Sequence, residues 1–163
     1  MGLSTLGKTQ TKLTFKEAVL RTADVATGYK EGLQAIKREH TKLISAKYPR
    51  KIEGSVDLDA CLKKKYEKDF RWDYAIGYDS LCYFVEVHKA ETSEINTIIK
   101  KRRALGEWLK SSAPKPNIDT LPKSNPAFIW VATNGVHFLP NASIRRLLAS
   151  NGIAFPKKIL ILE

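Results

Sequence analysis

Within residues 71–90, RWDYAIGYDSLCYFVEVHKA, Glu86 and His88 sit inside an apolar run, with Asp73 on the segment before it. A strand as oily as CYFVEV is expected to be buried, and a carboxylate buried without a partner costs on the order of several kcal/mol. Asp79 and Ser80 read as a two-residue turn between RWDYAIGY and LCYFVEVHKA. That turn sets a register of Tyr78 opposite Leu81, Gly77 opposite Cys82, Ala75 opposite Phe84 and Asp73 opposite Glu86. Cross-strand partners share a sheet face with Cβ atoms ~5 Å apart, and alternation adds His88 to that face, opposite Arg71. Facing carboxylates repel, so the pair predicts a compensating cation. A divalent metal is the simplest, because Mg²⁺ takes one or two protein carboxylates and fills its shell with water and phosphate oxygens. Such a centre suits phosphodiester hydrolysis, in which the ion polarises a phosphoryl oxygen and acidifies an attacking water. The alternatives are a solvated face, or neutralisation of the pair by Arg71 and a helix lysine.

The elements that must hold these residues follow from capping signals and periodicity. TFKE at 14–17 is a capping box, and apolar or small residues from Phe15 through Val19, Thr22, Tyr29, Leu33 and Ile36 to Leu43/Ile44 predict a long N-terminal helix to about residue 46. GSVDLDACLKKKYEKDF fits strand alternation and one helix face, and the helix is favoured, capped by Ser55 or Asp57. Two strands meet at Asp79-Ser80. SEINTIIKKRRALGEWLKSSA then predicts a helix with Ile95, Ile98/Ile99, Leu105 and Trp108/Leu109 on its apolar face. A proline-rich loop follows, AFIWVAT and VHFLP flank Asn134-Gly135 as a hairpin, ASIRRLLASNG is a short helix, and KKILILE a last strand. This order predicts a mixed central sheet flanked by helices, in one α/β domain over 13–163 preceded by a loose polar tail over 1–12.

The chain has 163 residues and a net charge of +11, with 28 Lys and Arg against 17 Asp and Glu. That balance points to a polyanionic partner, nucleic acid first, with acidic proteins or lipid head groups as alternatives. No apolar stretch is long enough for a membrane span and no secretory signal is evident, which predicts a cytoplasmic protein. Cys61 and Cys82 lack CxxC spacing, and His40, His88 and His137 are scattered, so neither a zinc site nor a disulfide framework is expected. KKRR at 100–103 and KKK at 63–65 could contact phosphates. Trp72, Tyr74 and Tyr78 read as core residues, with base stacking as the alternative.

An aspartate on one strand, Glu-x-basic on the next and helices before and after resemble the PD-(D/E)XK nuclease superfamily over residues 15–133. Asp73 matches the family's aspartate and Glu86-Val87-His88 its (D/E)-x-K tripeptide. The resemblance implies a restriction-endonuclease-like αβββαβ core and Mg²⁺ or Mn²⁺ held by Asp73 and Glu86. It also implies a further acidic ligand from the first helix, Glu39 or failing that Glu31, either of which could instead be a solvated surface carboxylate. His88 stands where the family has lysine. It would act as general base or metal ligand, or be a core histidine in an inactive site, and Lys100 or Lys101 would supply the displaced positive charge. DNA more than RNA is the implied substrate, contacted by Lys100, Lys101, Arg102, Arg103, Arg71 and Lys89, although alternation turns Lys89 away from His88. A homodimer is compatible with the family. The competing expectations are a non-catalytic nucleic-acid-binding module of the same fold, and an interaction scaffold in which the acidic pair is structural.

Overall fold

The computed structural model describes residues 12–163, so the expected tail, apart from Lys12, lies outside the described residues. In chain order the elements are helix α1 (Phe15–Leu20), a 3-10 segment (Ala23–Gly28), helix α2 (Arg38–Thr41), strands β1 (Ile44–Ala46) and β2 (Ile52–Asp57), and helix α3 (Leu58–Leu62). They continue with strands β3 (Tyr74–Tyr78) and β4 (Leu81–Ala90), helix α4 (Ile95–Ser111), strand β5 (Lys123–Val136), helix α5 (Ala142–Ser150) and strand β6 (Leu160–Leu162). The chain is an α/β protein with a mixed four-stranded sheet in the order β2-β3-β4-β5. β2–β3 and β3–β4 are antiparallel, whereas β4–β5 is parallel, its connection made by α4. β1 and β6 form a separate parallel pair. Among the described residues no helix is long and apolar enough to cross a membrane.

Both faces of the sheet are covered, which is why LCYFVEV shows no polar alternation. Cys82 and Phe84 join a core with Phe15, Ile98, Leu105 and Trp108, on the α1 and α4 side. Tyr83, Val85 and Val87 join a second core with Ile36, Ile44, Leu160 and Leu162. Alternation therefore assigns Glu86 to the α4 side. Asp79 and Ser80 both have positive φ, 48° and 65°, as a two-residue hairpin turn demands. The β3–β4 register carries the expected pairs Tyr78–Leu81, Gly77–Cys82 and Ala75–Phe84.

The long N-terminal helix does not form. α1 stops at Leu20, where the Thr22 hydroxyl turns back to the Ala18 carbonyl at 2.8 Å. Further on, Lys30 and Ser55 exchange two backbone hydrogen bonds of 2.9 Å, and the Ser55 hydroxyl accepts from Ala35 N–H at 3.1 Å. Pairing along the edge of β2 takes the backbone groups a continuing helix would need. The segment GSVDLDACL divides at Asp57, which ends β2 and caps α3. Asn134-Gly135 is no hairpin either: both have positive φ, but β5 runs through them as an irregularity and Val136 pairs with Ala90 of β4.

Gly77 is where α1 rests on the sheet, since a Cβ there would collide with the Phe15 ring. Gly77→Ala should therefore cost roughly 1–3 kcal/mol through overpacking, lowering the melting temperature by about 3–10 °C. An unchanged thermal melt would show that Phe15 does not pack against β3 in this way.

Candidate functional site

The β3–β4 main-chain ladder ends at Tyr74–Val85. Beyond that rung, side chains continue it: Asp73 N–H donates to Glu86 Oε2 at 2.9 Å, and Val87 N–H donates to Asp73 Oδ2 at 3.0 Å. The two carboxylates thus lie side by side, each clasping the other strand's backbone. The Asp73 carbonyl accepts from Leu58 and Asp59 N–H at 2.8 and 3.3 Å, fixing this corner to the start of α3. Glu86 is fully buried and its Oε1 receives the ammonium of Lys101, from the α4 face turned to the sheet. Asp73 Oδ1 accepts no hydrogen bond among the described residues.

His88 sits beside this cluster with Nδ1 3.8 Å from Glu86 Oε1, while Nε2 is 2.8 Å from Glu94 Oε2 at the start of α4. A neutral ring that donates Nε2–H to Glu94 presents its Nδ1 lone pair to the carboxylates. His40 Nδ1 meets the Tyr74 hydroxyl at 2.7 Å. Asp57 spends one oxygen on the α3 cap, accepting from Ala60 N–H at 2.8 Å.

Burial, then repulsion from Asp73, pushes the Glu86 carboxyl up to about 8 against the pull of Lys101. Burial also raises Asp73, with Lys101 and the Val87 N–H opposing, and it raises Asp57 against its cap bond. For Lys101, burial disfavours the ammonium, but the attraction of Glu86 and Asp73 outweighs it and the pKa ends above the ordinary value. The Lys101 ammonium thus sits on Glu86, whose carboxyl is held well above the ordinary carboxylate range by burial and by the neighbouring Asp73.

The structure sorts the expected site residues into three groups. Asp73, Glu86 and His88 come together, joined by Lys101, whose ammonium meets Glu86. Lys100, Arg103 and Lys89 are exposed. The remaining cations are otherwise engaged. Arg71 does not face His88: it binds Asp59 at 2.8 Å and donates to the carbonyls of Tyr66, Glu67 and Asp69, bracing the loop before β3. Arg102 lies with its guanidinium carbon 3.6 Å from the centre of the Phe128 ring and donates to the Asn151 carbonyl.

Glu39 and Glu31 are both exposed, Glu39 on the short α2 rather than on a long first helix. Tyr74, Trp72 and Tyr78 are buried core residues. Sequence reasoning missed Glu94 and His40. Glu94 had a detectable signal, being six residues after His88 at the first turn of the following helix. His40 had none, because its contact spans 34 residues. No family model, curated protein or solved structure matches this chain.

Proposed function

We propose that the protein is a metal-dependent nuclease of the PD-(D/E)XK type, hydrolysing phosphodiester bonds of nucleic acid, with DNA the first substrate to test. The reading is carried by one observation: a half-buried and a fully buried carboxylate, Asp73 and Glu86, lie side by side on neighbouring chain segments, with a lysine from the next helix on Glu86 and a histidine held by Glu94 beside them. The chain order α1, β2, β3, β4, α4, β5, with α2 and β1 inserted before β2 and α3 after it, supports an αβββαβ core.

The donor set fits Mg²⁺ or Mn²⁺, which favour carboxylate oxygens. Among the described residues no group of three or more His, Cys, Asp or Glu is placed to hold an ion. Only Asp73 Oδ1 lacks a donor, so an ion held by both carboxylates, with water and phosphate completing its shell, would require Lys101 to leave Glu86. Held by Asp73 and Glu86, the cation would polarise the phosphoryl group and acidify the attacking water. His88 accepts the water proton at Nδ1 while Glu94 holds the ring at Nε2. Lys101, displaced from Glu86, offsets charge on the phosphate, and exposed Lys100 and Arg103 hold the flanking backbone.

The contact of Lys101 with Glu86 favours one competing reading, a catalytically silent binding module, since the ammonium already neutralises the carboxylate. Calorimetric Mn²⁺ titration tests the site without choosing a substrate. An ion that must displace the proton shared near Glu86 binds more tightly as pH rises, by up to about tenfold per unit below the pKa near 8. The expected result is Mn²⁺ binding that strengthens from pH 6 to 8, releases protons, and weakens in Asp73→Asn and Glu86→Gln. Absence of Mn²⁺ binding at pH 8, with and without an oligonucleotide, would remove the metal site and leave the binding module.

A further inference from the structure

A cavity of about 580 Å³ opens between α4 and the loop before β3, lined among others by Leu62, Phe70, Trp72, Lys100, Arg103 and Trp108. Its volume lies within the range of small-ligand sites. Two of its wall residues, Trp72 and Lys100, precede Asp73 and Lys101 in the chain, while the cluster residues themselves do not line it. From these features we infer that the cavity receives one unstacked nucleobase of the nucleic-acid strand, stacked on Phe70, with its phosphate on Lys100 and Arg103. The inference rests on the nuclease reading and assigns that site a subsite.

Three observations converge on a base rather than on an apolar ligand. Phe70 is 46% exposed, an aromatic face left in solvent with the Lys100 ammonium 5.7 Å from its centre. An exposed aromatic beside a cation is a sequence-tolerant platform for bases. Next, the indole N–H of Trp72 is buried and has no hydrogen-bond partner among the described residues. Buried donors are nearly always paired, and every base edge offers acceptors to such a group. Finally, the cations Lys68, Lys100 and Arg103 lie on the lining with the acids Asp69 and Glu107. Arg71, also on the lining, is consumed by its contacts to Asp59 and the loop carbonyls. The free positive charges exceed the negative ones, as a phosphate-bearing occupant requires.

The test compares an octathymidylate with an octamer of abasic deoxyribose phosphate, equal in charge, by fluorescence anisotropy in Ca²⁺ at low salt. The base-bearing strand should bind about tenfold more tightly. Phe70→Ala, at an exposed position with its fold checked by thermal melting, should erase that ratio and leave abasic binding unchanged. Equal affinities of wild type for the two strands, or a ratio that survives Phe70→Ala, would overturn the assignment while leaving the nuclease reading intact. If neither strand binds, the nucleic-acid reading fails and the cavity assignment with it.

Discussion

Glu86→Gln should lower cleavage by roughly three orders of magnitude while leaving affinity for the same nucleic acid in Ca²⁺ within about twofold. Glutamine preserves the volume at a fully buried position and keeps one oxygen that can accept from Asp73 N–H or from Lys101. What it removes is the negative charge that would hold the cation with Asp73. Losing a single preorganised electrostatic contributor of this kind costs about 10²–10³ in rate, and loss of the bound ion compounds it. Affinity should persist because the proposed backbone contacts are the exposed Lys100 and Arg103, not Glu86, and phosphate contacts dominate binding. His88→Asn should fall less far, by about 10²-fold, the smaller end of what a general base contributes. The measurement is a rate assay with Mn²⁺ on single-stranded, duplex and supercoiled DNA and on RNA, paired with anisotropy in Ca²⁺. Wild-type rates in Glu86→Gln would place any cleavage elsewhere in the chain. Binding without cleavage of any form by the wild type would establish the silent module instead.

How far this site can be read from sequence depends on the distance of the contacts that make it. The turn at Asp79-Ser80 is local, so the register of β3 on β4, and with it the meeting of Asp73 and Glu86, is legible by counting. Counting does not reveal that the carboxylates replace the ladder, because that depends on α3 drawing the Asp73 carbonyl aside. Lys101 is legible in principle. It lies three residues after Ile98 and four before Leu105, on the apolar stripe of α4, and a lysine there needs a buried acid. Treating KKRR as one charge run hides this, since a helix turns each successive side chain by about 100°. In the structure Lys101 goes inward, Arg102 to Phe128, and Lys100 and Arg103 to solvent.

The errors have the converse cause. Residues 22–37 have helical spacing, yet pairing of Lys30 with Ser55 governs them from 25 residues away. Asn134-Gly135 offers the same positive φ pair to a turn or a bulge, and the continued pairing of Val136 with Ala90 decides for the bulge. Once the first helix breaks, Glu39 loses the position from which it would have reached the site.

Lys101→Met carries the largest expected effect on stability. Methionine keeps much of the aliphatic stem that packs in α4 but takes the ammonium from Glu86. Removing one partner of a buried ion pair costs about 3–5 kcal/mol, and with Lys101 18% exposed the lower end, about 3 kcal/mol, is expected at pH 8. The pH dependence separates this from a packing defect. Glu86 in the folded chain titrates near 8, above its ordinary 4.5, so the folded state holds a proton that the unfolded state releases. Stability therefore falls as pH rises from about 4.5 to about 8, and Asp73, also raised, adds to the same slope. Without Lys101 both carboxyls move further up, the folded state retains more protons, and the decline steepens. Denaturant unfolding at pH 5, 7 and 9 should show the deficit of Lys101→Met against wild type widening with each step. The same variant with Glu86→Gln should flatten the profile, because the carboxyl that most resists ionisation is gone. Parallel pH profiles for wild type and Lys101→Met would mean that the ammonium does not hold the carboxylates in solution. The charge arrangement on which the proposed nuclease site depends would then fall with it.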